Sequence, residues 1–230
     1  MGHILIIAAV VPAIWLLVKV YNEDRMERES STLLVRLVLS GIFSTVLAMV
    51  GERIGSYIMA MFFDERSLIY NLLFYFIVVG VSEEGAKYLL LRYRTWQSPE
   101  FNCTFDGVVY AVFVSLGFAL WENIGYVMSY GLGTALIRAI TAIPGHACFG
   151  VFMGVWYGAA KRSEMYGNIA LSGLQRKMAL IIPISLHGCY DFIATVDNSA
   201  YSVVFIVFVA AMFIAAYRAV KKAAGNDEYI

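Results

Sequence analysis

The side chains able to do chemistry fall in four short runs of an otherwise apolar chain. Glu83 and Glu84 are adjacent, and Lys87 follows in Glu83-Glu84-Gly85-Ala86-Lys87. Glu122 and Asn123 end the run Phe118-Ala119-Leu120-Trp121-Glu122-Asn123. His146 lies in Pro144-Gly145-His146, and His187 and Asp191 bracket His187-Gly188-Cys189-Tyr190-Asp191. Residues four apart share a helix face, so Glu83 is expected to pair with Lys87, and His187 with Asp191. Glu84 points about 100° away from Glu83 and is expected to lack a local partner. Two adjacent carboxylates in low dielectric cannot both ionise cheaply. One is therefore expected to be neutralised by Lys87, while the other serves acid–base work. Asp191 can orient the His187 ring and fix its tautomer, or both can face a reacting centre.

No Ser–His–Asp arrangement and no suitable Cys–His pair accompanies these groups. Cys103, Cys148 and Cys189 form no CxxC or metal-ligand spacing, and an odd, scattered set reads as packing residues. Activated water is the chemistry that these residues suggest. Glu83 or Glu84 would take a proton from water as general base. His146 and His187 would position that water, polarise a scissile carbonyl or ligate a metal. A Zn²⁺ site drawn from Glu84, His146 and His187, with one open position, is chemically allowed. HExxH is absent, and a metal-free glutamate–histidine site supplies the same base and oxyanion donors. Both chemistries stay open at this level.

The elements that must position these groups follow from composition. The chain has 230 residues, 60% of them apolar and only 15% charged, with a mean hydropathy of +0.72. Soluble domains are nearer half apolar and a quarter charged. A disordered chain, a small disulfide scaffold and a basic nucleic-acid-binding domain are excluded. Lys plus Arg and Asp plus Glu are both 17, so net charge suggests neither an acidic nor a basic partner. The expected fold is all-α: a polytopic helix bundle in the lipid bilayer, forming a single integral-membrane domain over 1–230. Seven spans are expected, at Ile4–Val20, Leu33–Gly51, Leu68–Leu91, Phe105–Met128, Thr134–Ala160, Leu174–Ala194 and Tyr201–Ala219. The motifs occupy the third to sixth, the core 68–194, and measured from span centres Glu83, Glu84, Glu122, His146 and His187 lie within roughly 8 Å of mid-membrane. Four successive spans thus each bring a carboxylate or an imidazole to one depth, where such groups usually face a partner or a wet cavity.

Thirteen of the 17 basic residues fall on one alternate set of connections, including Lys19, Arg25, Arg28, Arg92, Lys161, Arg176 and Lys222. Arg53, Arg66 and Arg138 fall on the other, and Lys87 lies within a span. This asymmetry places the N-terminus outside and the C-terminus in the cytoplasm. The mixed-charge segment Tyr21–Thr32 reads as a solvated linker. His146 heads a stripe with Gly150, Gly154 and Gly158, which lets a neighbouring helix approach closely. Pro144 removes a backbone bond just before His146 and is expected to widen the helix there.

The ordered set EExxK, FxxxEN, a mid-span Gly-His and HxxxD resembles the PrsW intramembrane proteases, within the superfamily of type II CAAX prenyl endopeptidases. The FDGVVYAVFVSLGF segment is also similar, and the likeness covers Leu68–Ala194, over half of the chain. It implies a membrane-embedded peptidase of the bacterial plasma membrane that makes the first cut in a single-span anti-sigma factor under envelope stress. It further implies Glu83 and Glu84 as the water-activating pair, with Lys87 holding one carboxylate. His146 and His187 would be catalytic or metal-binding, and Asp191 orienting or stabilising; Glu122 and Asn123 complete the candidate set. Glu122 stands where the prenyl-processing branch has histidine, and EExxK replaces EExxxR, which argues against trimming of prenylated proteins. Two other readings compete. The gamma-secretase scaffold subunit shares the superfamily without being the protease, against which the intact Glu83-Glu84 pair argues. A proton-coupled transporter would also use Glu and His, but the chain shows no repeated half.

Overall fold

An apolar segment in lipid must satisfy its own backbone, which a helix does by itself. The computed structural model describes residues 2–24, 26–196 and 198–230. Its helices are α1 (Gly2–Tyr21), α2 (Ser31–Phe62), α3 (Leu68–Leu73), α4 (Val81–Thr95), α5 (Asp106–Tyr130), α6 (Leu132–Ile140), α7 (Ala142–Met165), α8 (Ile169–Thr195) and α9 (Ser199–Gly225). A π-helical stretch, Phe74–Gly80, joins α3 to α4 in one continuous run. Seven helical runs are long and apolar enough to cross a membrane, so the protein is a multi-pass helical membrane protein. Among the described residues the one strand-like pairing is an antiparallel bridge between Cys103 and Tyr229. Arg25, counted above among the basic residues, lies outside the described residues.

The core forms around α5, whose residues are buried without interruption from Asp106 to Ala119. Its neighbours come close enough for backbone to meet backbone. A Cβ at Gly41 of α2 would collide with the Val114 carbonyl, and one at Gly117 of α5 with that of Val38. On the opposite side, Gly154 and Gly158 of α7 meet Gly107, Val108 and Thr104 in the same way, and Gly150 meets Ser115 and Ala111. The glycine stripe below His146 is thus a helix-packing seam. It seats α7 on α5 and holds His146 at a fixed height.

Three elements depart from the sequence reading. The second span runs 32 residues, to Phe62 rather than Gly51. The polar pair Glu52-Arg53 ends the apolar signal, but it does not end the backbone hydrogen-bond ladder. The fifth span is broken at Thr141 into α6 and α7. Pro144 therefore falls in the first turn of α7, where its missing N–H costs nothing, and the helix opens before His146 rather than around it. The segment after α1 is not fully solvated, because Asp24 and Glu29 are buried.

One end of the bundle gathers the connections rich in Lys and Arg. There Lys221 Nζ meets Glu23 Oε1 at 2.7 Å, Asn102 Nδ2 donates to Glu27 Oε2 at 3.1 Å, and Thr104 N donates to Glu228 O at 3.0 Å. The other end carries the turns after α2, α5 and α8.

The seams predict opposite effects of one substitution at two glycines. Gly117→Ala forces two backbones apart and should lower the thermal midpoint in detergent, at a cost of about 1–3 kcal/mol. Gly173→Ala in α8 meets nothing within 4 Å and should be neutral or stabilising by up to about 1 kcal/mol.

Candidate active site

The Glu83–Lys87 turn of α4 follows the π-helical stretch directly. Gly188 of α8 lies against that stretch, since a Cβ there would sit 2.6 Å from the Phe76 ring. This close approach seats His187 beside the two glutamates. Lys87, 0% exposed, is the centre of the cluster. Its Nζ donates to Glu84 Oε1 at 2.7 Å and to Glu83 Oε2 at 3.2 Å, and it lies 3.2 Å from His146 Nδ1. It also stands 4.0 Å from the centroid of the Phe118 ring, a favourable site for a desolvated cation. The carboxylate expected to be alone, Glu84, therefore has the shorter of the two bonds. Positions three apart on a helix meet as well as positions four apart, and a buried lysine stem reaches both.

An ammonium offers only donors, so His146 Nδ1 must accept and the ring proton resides on Nε2. Nε2–H then donates to Glu122 Oε2 at 3.0 Å. The same oxygen accepts from Arg138 Nη2 at 2.7 Å, and Arg138 Nε donates to Asn123 Oδ1 at 2.9 Å. Asn123 Nδ2 completes the chain by donating to the Ala9 carbonyl of α1 at 2.8 Å. His187 forms a second branch. Its Nδ1 lies 2.8 Å from Glu84 Oε1, with Nε2 3.3 Å from Asp191 Oδ2 and 3.8 Å from Glu83 Oε2. The Phe149 ring stacks on this imidazole at 4.7 Å between centroids. Each nitrogen of His187 thus faces a carboxylate, and Nε2 faces the cavity.

That cavity has a volume of about 350 Å³ and is lined by Glu52, Glu83, Glu122, Arg138, His187 and Asp191, among others. Its lining reaches Thr195, the last residue of α8, and so extends toward the end of the bundle away from the basic connections. A second, more open groove of about 420 Å³ runs between α2 and α5 and shares Glu52, Glu83 and Glu122 with it. Glu84 lines neither; it is fully buried, and its Oε2 has no hydrogen-bond partner.

The structure brings Glu83, Glu84, Lys87, Glu122, His146, His187 and Asp191 into one hydrogen-bonded cluster. Asn123 is placed behind it, fully buried and turned toward α1 and Arg138. Two groups that line the cavity escaped the sequence reading. Glu52 lies one position past the expected end of the second span, where hydropathy falls. Arg138 was counted with the connections although it lies inside the fifth expected span, where an arginine needs a partner. That demand was the signal. Glu83, Glu84 and His146 each offer an atom within 4.8 Å of the others, as a metal site would.

Comparison with known proteins follows the same lines. A family model described as "PrsW family intramembrane metalloprotease" matches residues 29–217. Protease PrsW of Shouchella clausii is 32% identical over 219 residues, covering 95% of this chain and 96% of that protein. Protease PrsW of Bacillus subtilis is 32% identical over 208 residues, covering 89% of each. That of Clostridioides difficile is 32% identical over 209 residues, covering 89% of this chain and 85% of that protein. No solved structure matches the chain.

The cluster predicts a strong dependence on Lys87. Lys87→Met leaves two buried carboxylates without their counter-charge and should cost about 3–5 kcal/mol, read as a lowered unfolding midpoint in detergent. Adding Glu83→Gln and Glu84→Gln to the same chain should restore much of that loss. Equal midpoints for wild type and Lys87→Met would contradict the arrangement.

Proposed function

This chain belongs to the PrsW family of intramembrane proteases, and we propose that it hydrolyses a peptide bond of a membrane-anchored protein with water activated by Glu83. Being a membrane-embedded protease, it is neither the scaffold nor the transporter that the sequence alone left in view. The single observation that carries the reading is the division between the two glutamates. Glu83 faces the cavity and the groove, whereas Glu84 faces neither and is bonded to Lys87 and His187.

A water beside Glu83 gives up a proton to its carboxylate as its oxygen attacks the scissile carbonyl carbon. The oxyanion that forms has Arg138 and the Nε2 of His187 in the same cavity as sources of positive charge or an N–H. When the C–N bond breaks, the leaving amine takes a proton from Glu83 or from His187. Asp191, 3.3 Å from His187 Nε2, steadies that ring. Glu84 is a positioning residue, since it acts through Lys87 and His187. Glu122 and Asn123 act the same way, by fixing His146 and Arg138.

The family description names a metal, and the donor types here, carboxylate and imidazole, suit Zn²⁺. The arrangement does not. The point shared by Glu83, Glu84 and His146 is filled by the Lys87 ammonium, within 3.2 Å of an atom of each. A metal at that point would have to displace a buried cation from two carboxylates. No step above is therefore routed through one.

The groove between α2 and α5, with Trp121, Tyr126 and Tyr130 along it, is the entry for a substrate helix. With the basic-rich end in the cytoplasm, as its charge suggests, the cavity lining extends toward the outer end through Thr195. That direction supports first-cut cleavage on the extracytoplasmic side, with a single-span anti-sigma factor as the substrate that the family resemblance suggests.

Purified full chain, assayed on a panel of single-span substrates that includes anti-sigma factors, tests this directly. Glu83→Gln should lower kcat by about 10²- to 10⁴-fold while the thermal midpoint stays near wild type. Glu84→Gln should lower activity and the midpoint together and shift the pH profile of the residual activity. Full activity in Glu83→Gln would overturn the assignment of the base.

A further inference from the structure

A second group of buried carboxylates lies at the opposite end of α5 from the cavity. Asp24 and Glu29 come from the α1–α2 connection, and Asp106 is the first residue of α5. All three are buried, and each offers an oxygen within 4.8 Å of the others. Asp106 lies 16 positions before Glu122 on one helix, or ~24 Å along its axis, so this group is separate from the protease site.

Hydrogen bonding does not account for the cluster. Asp106 Oδ2 accepts from the Asn102 and Cys103 amides at 3.0 and 2.7 Å, which fixes the start of α5. Among the described residues its Oδ1 is buried without a hydrogen-bond partner, and so are both carboxylate oxygens of Asp24. Asp24 is 3% exposed. Arg28, whose charge acts on Asp24, is exposed and stands over the Tyr21 ring at 5.3 Å, while Asp227 adds further negative charge.

We propose that Asp24, Glu29 and Asp106 bind a hard divalent cation of the Ca²⁺ or Mg²⁺ class, which ties the α1–α2 connection to the start of α5. All three donors are carboxylate oxygens, the ligands that such ions prefer over softer metals. Oxygens bound to one Ca²⁺ at about 2.4 Å can be at most ~4.8 Å apart, and the three donors here lie within that limit of one another. The unpartnered oxygens of Asp24 and Asp106 are the ones left to coordinate. The surrounding segments are already cross-linked: Asn102 bonds Glu27, Ser30 N donates to Glu100, and the Asp227 carboxylate accepts from Phe105 N at 2.8 Å. A cation here would lock that whole end of the bundle, on which α5 and its glycine seams depend.

The test uses the full chain in detergent, stripped with chelator and exchanged into metal-free buffer. Mn²⁺ binding is counted by electron paramagnetic resonance, and the thermal midpoint is followed with added Ca²⁺ or Mg²⁺. Wild type should bind one Mn²⁺ at this site, and its midpoint should rise by roughly 5 °C at saturating Ca²⁺ or Mg²⁺. Asp24→Asn, which removes one of the three carboxylates, should abolish both effects. Glu29→Gln gives the same reading through a second ligand should the first variant not fold. Glu83→Gln should keep both effects, which separates this site from the protease centre. Absence of binding and of any cation-dependent shift in wild type would overturn the proposal, leaving the three carboxylates to share protons. Binding retained in both Asp24→Asn and Glu29→Gln would overturn it equally.

Discussion

A lysine ammonium buried between two adjacent glutamates is the constraint on which the rest of the site depends. Lys87 offers three donors, and Glu83, Glu84 and His146 take one each. Each charge alone would be costly to bury, by several kcal/mol even after relaxation. Together they form a closed set whose members also fix their neighbours. The donor on Nδ1 sets the His146 tautomer, and that tautomer makes Nε2 a donor to Glu122. Glu122 holds Arg138, which holds Asn123 and through it α1. The other branch passes from Glu84 to His187 and Asp191. Six helices are thereby joined by a polar network rooted in one turn of α4.

Such a network tolerates little error in the positions of its helices. Hydrogen bonds lose their value within a few tenths of an ångström and with modest tilts, and apolar packing alone leaves room for such slippage. Backbone contact does not. Gly41 and Gly117 bring α2 against α5, and Gly107, Gly154 and Gly158 bring α7 against α5. Gly188 brings α8 against the π-helical stretch that precedes Glu83. The small residues fix the heights at which His146, His187 and the glutamates meet. The division of labour then follows from position. In the proposed mechanism the glutamate that lines the cavity handles water, and the one that does not braces the site.

Much of this was legible in the sequence, for reasons that can be traced. Ionisable residues inside apolar spans are rare enough to single out Glu83, Glu84, Lys87, Glu122, His146, His187 and Asp191 without any structure. Helical spacing predicted the Glu83–Lys87 and His187–Asp191 pairs, and both occur. Partners distant in sequence were not legible. Nothing in the chain says that Glu84 meets His187, 103 positions away, or that His146 sits between Lys87 and Glu122. Hydropathy hid Glu52, because a helix can outlast its apolar stretch. Arg138 was hidden by being counted as a charge rather than asked for a partner. Asp24 and Glu29 read as solvated because charged loops usually are, but they are buried beside Asp106 at the start of α5. The break at Thr141 carries no sequence signal as strong as Pro144, which turned out to lie harmlessly in a first turn.

The central claim is that the point shared by Glu83, Glu84 and His146 belongs to the Lys87 ammonium, leaving the cavity-facing Glu83 to activate water. Diffraction from crystals of the full chain grown with Zn²⁺ present, recorded on both sides of the zinc absorption edge, tests it most directly. The account predicts Lys87 Nζ within hydrogen-bond reach of all three side chains and no anomalous peak among them. A zinc peak bound by Glu83, Glu84 and His146, with Lys87 swung aside, would contradict it.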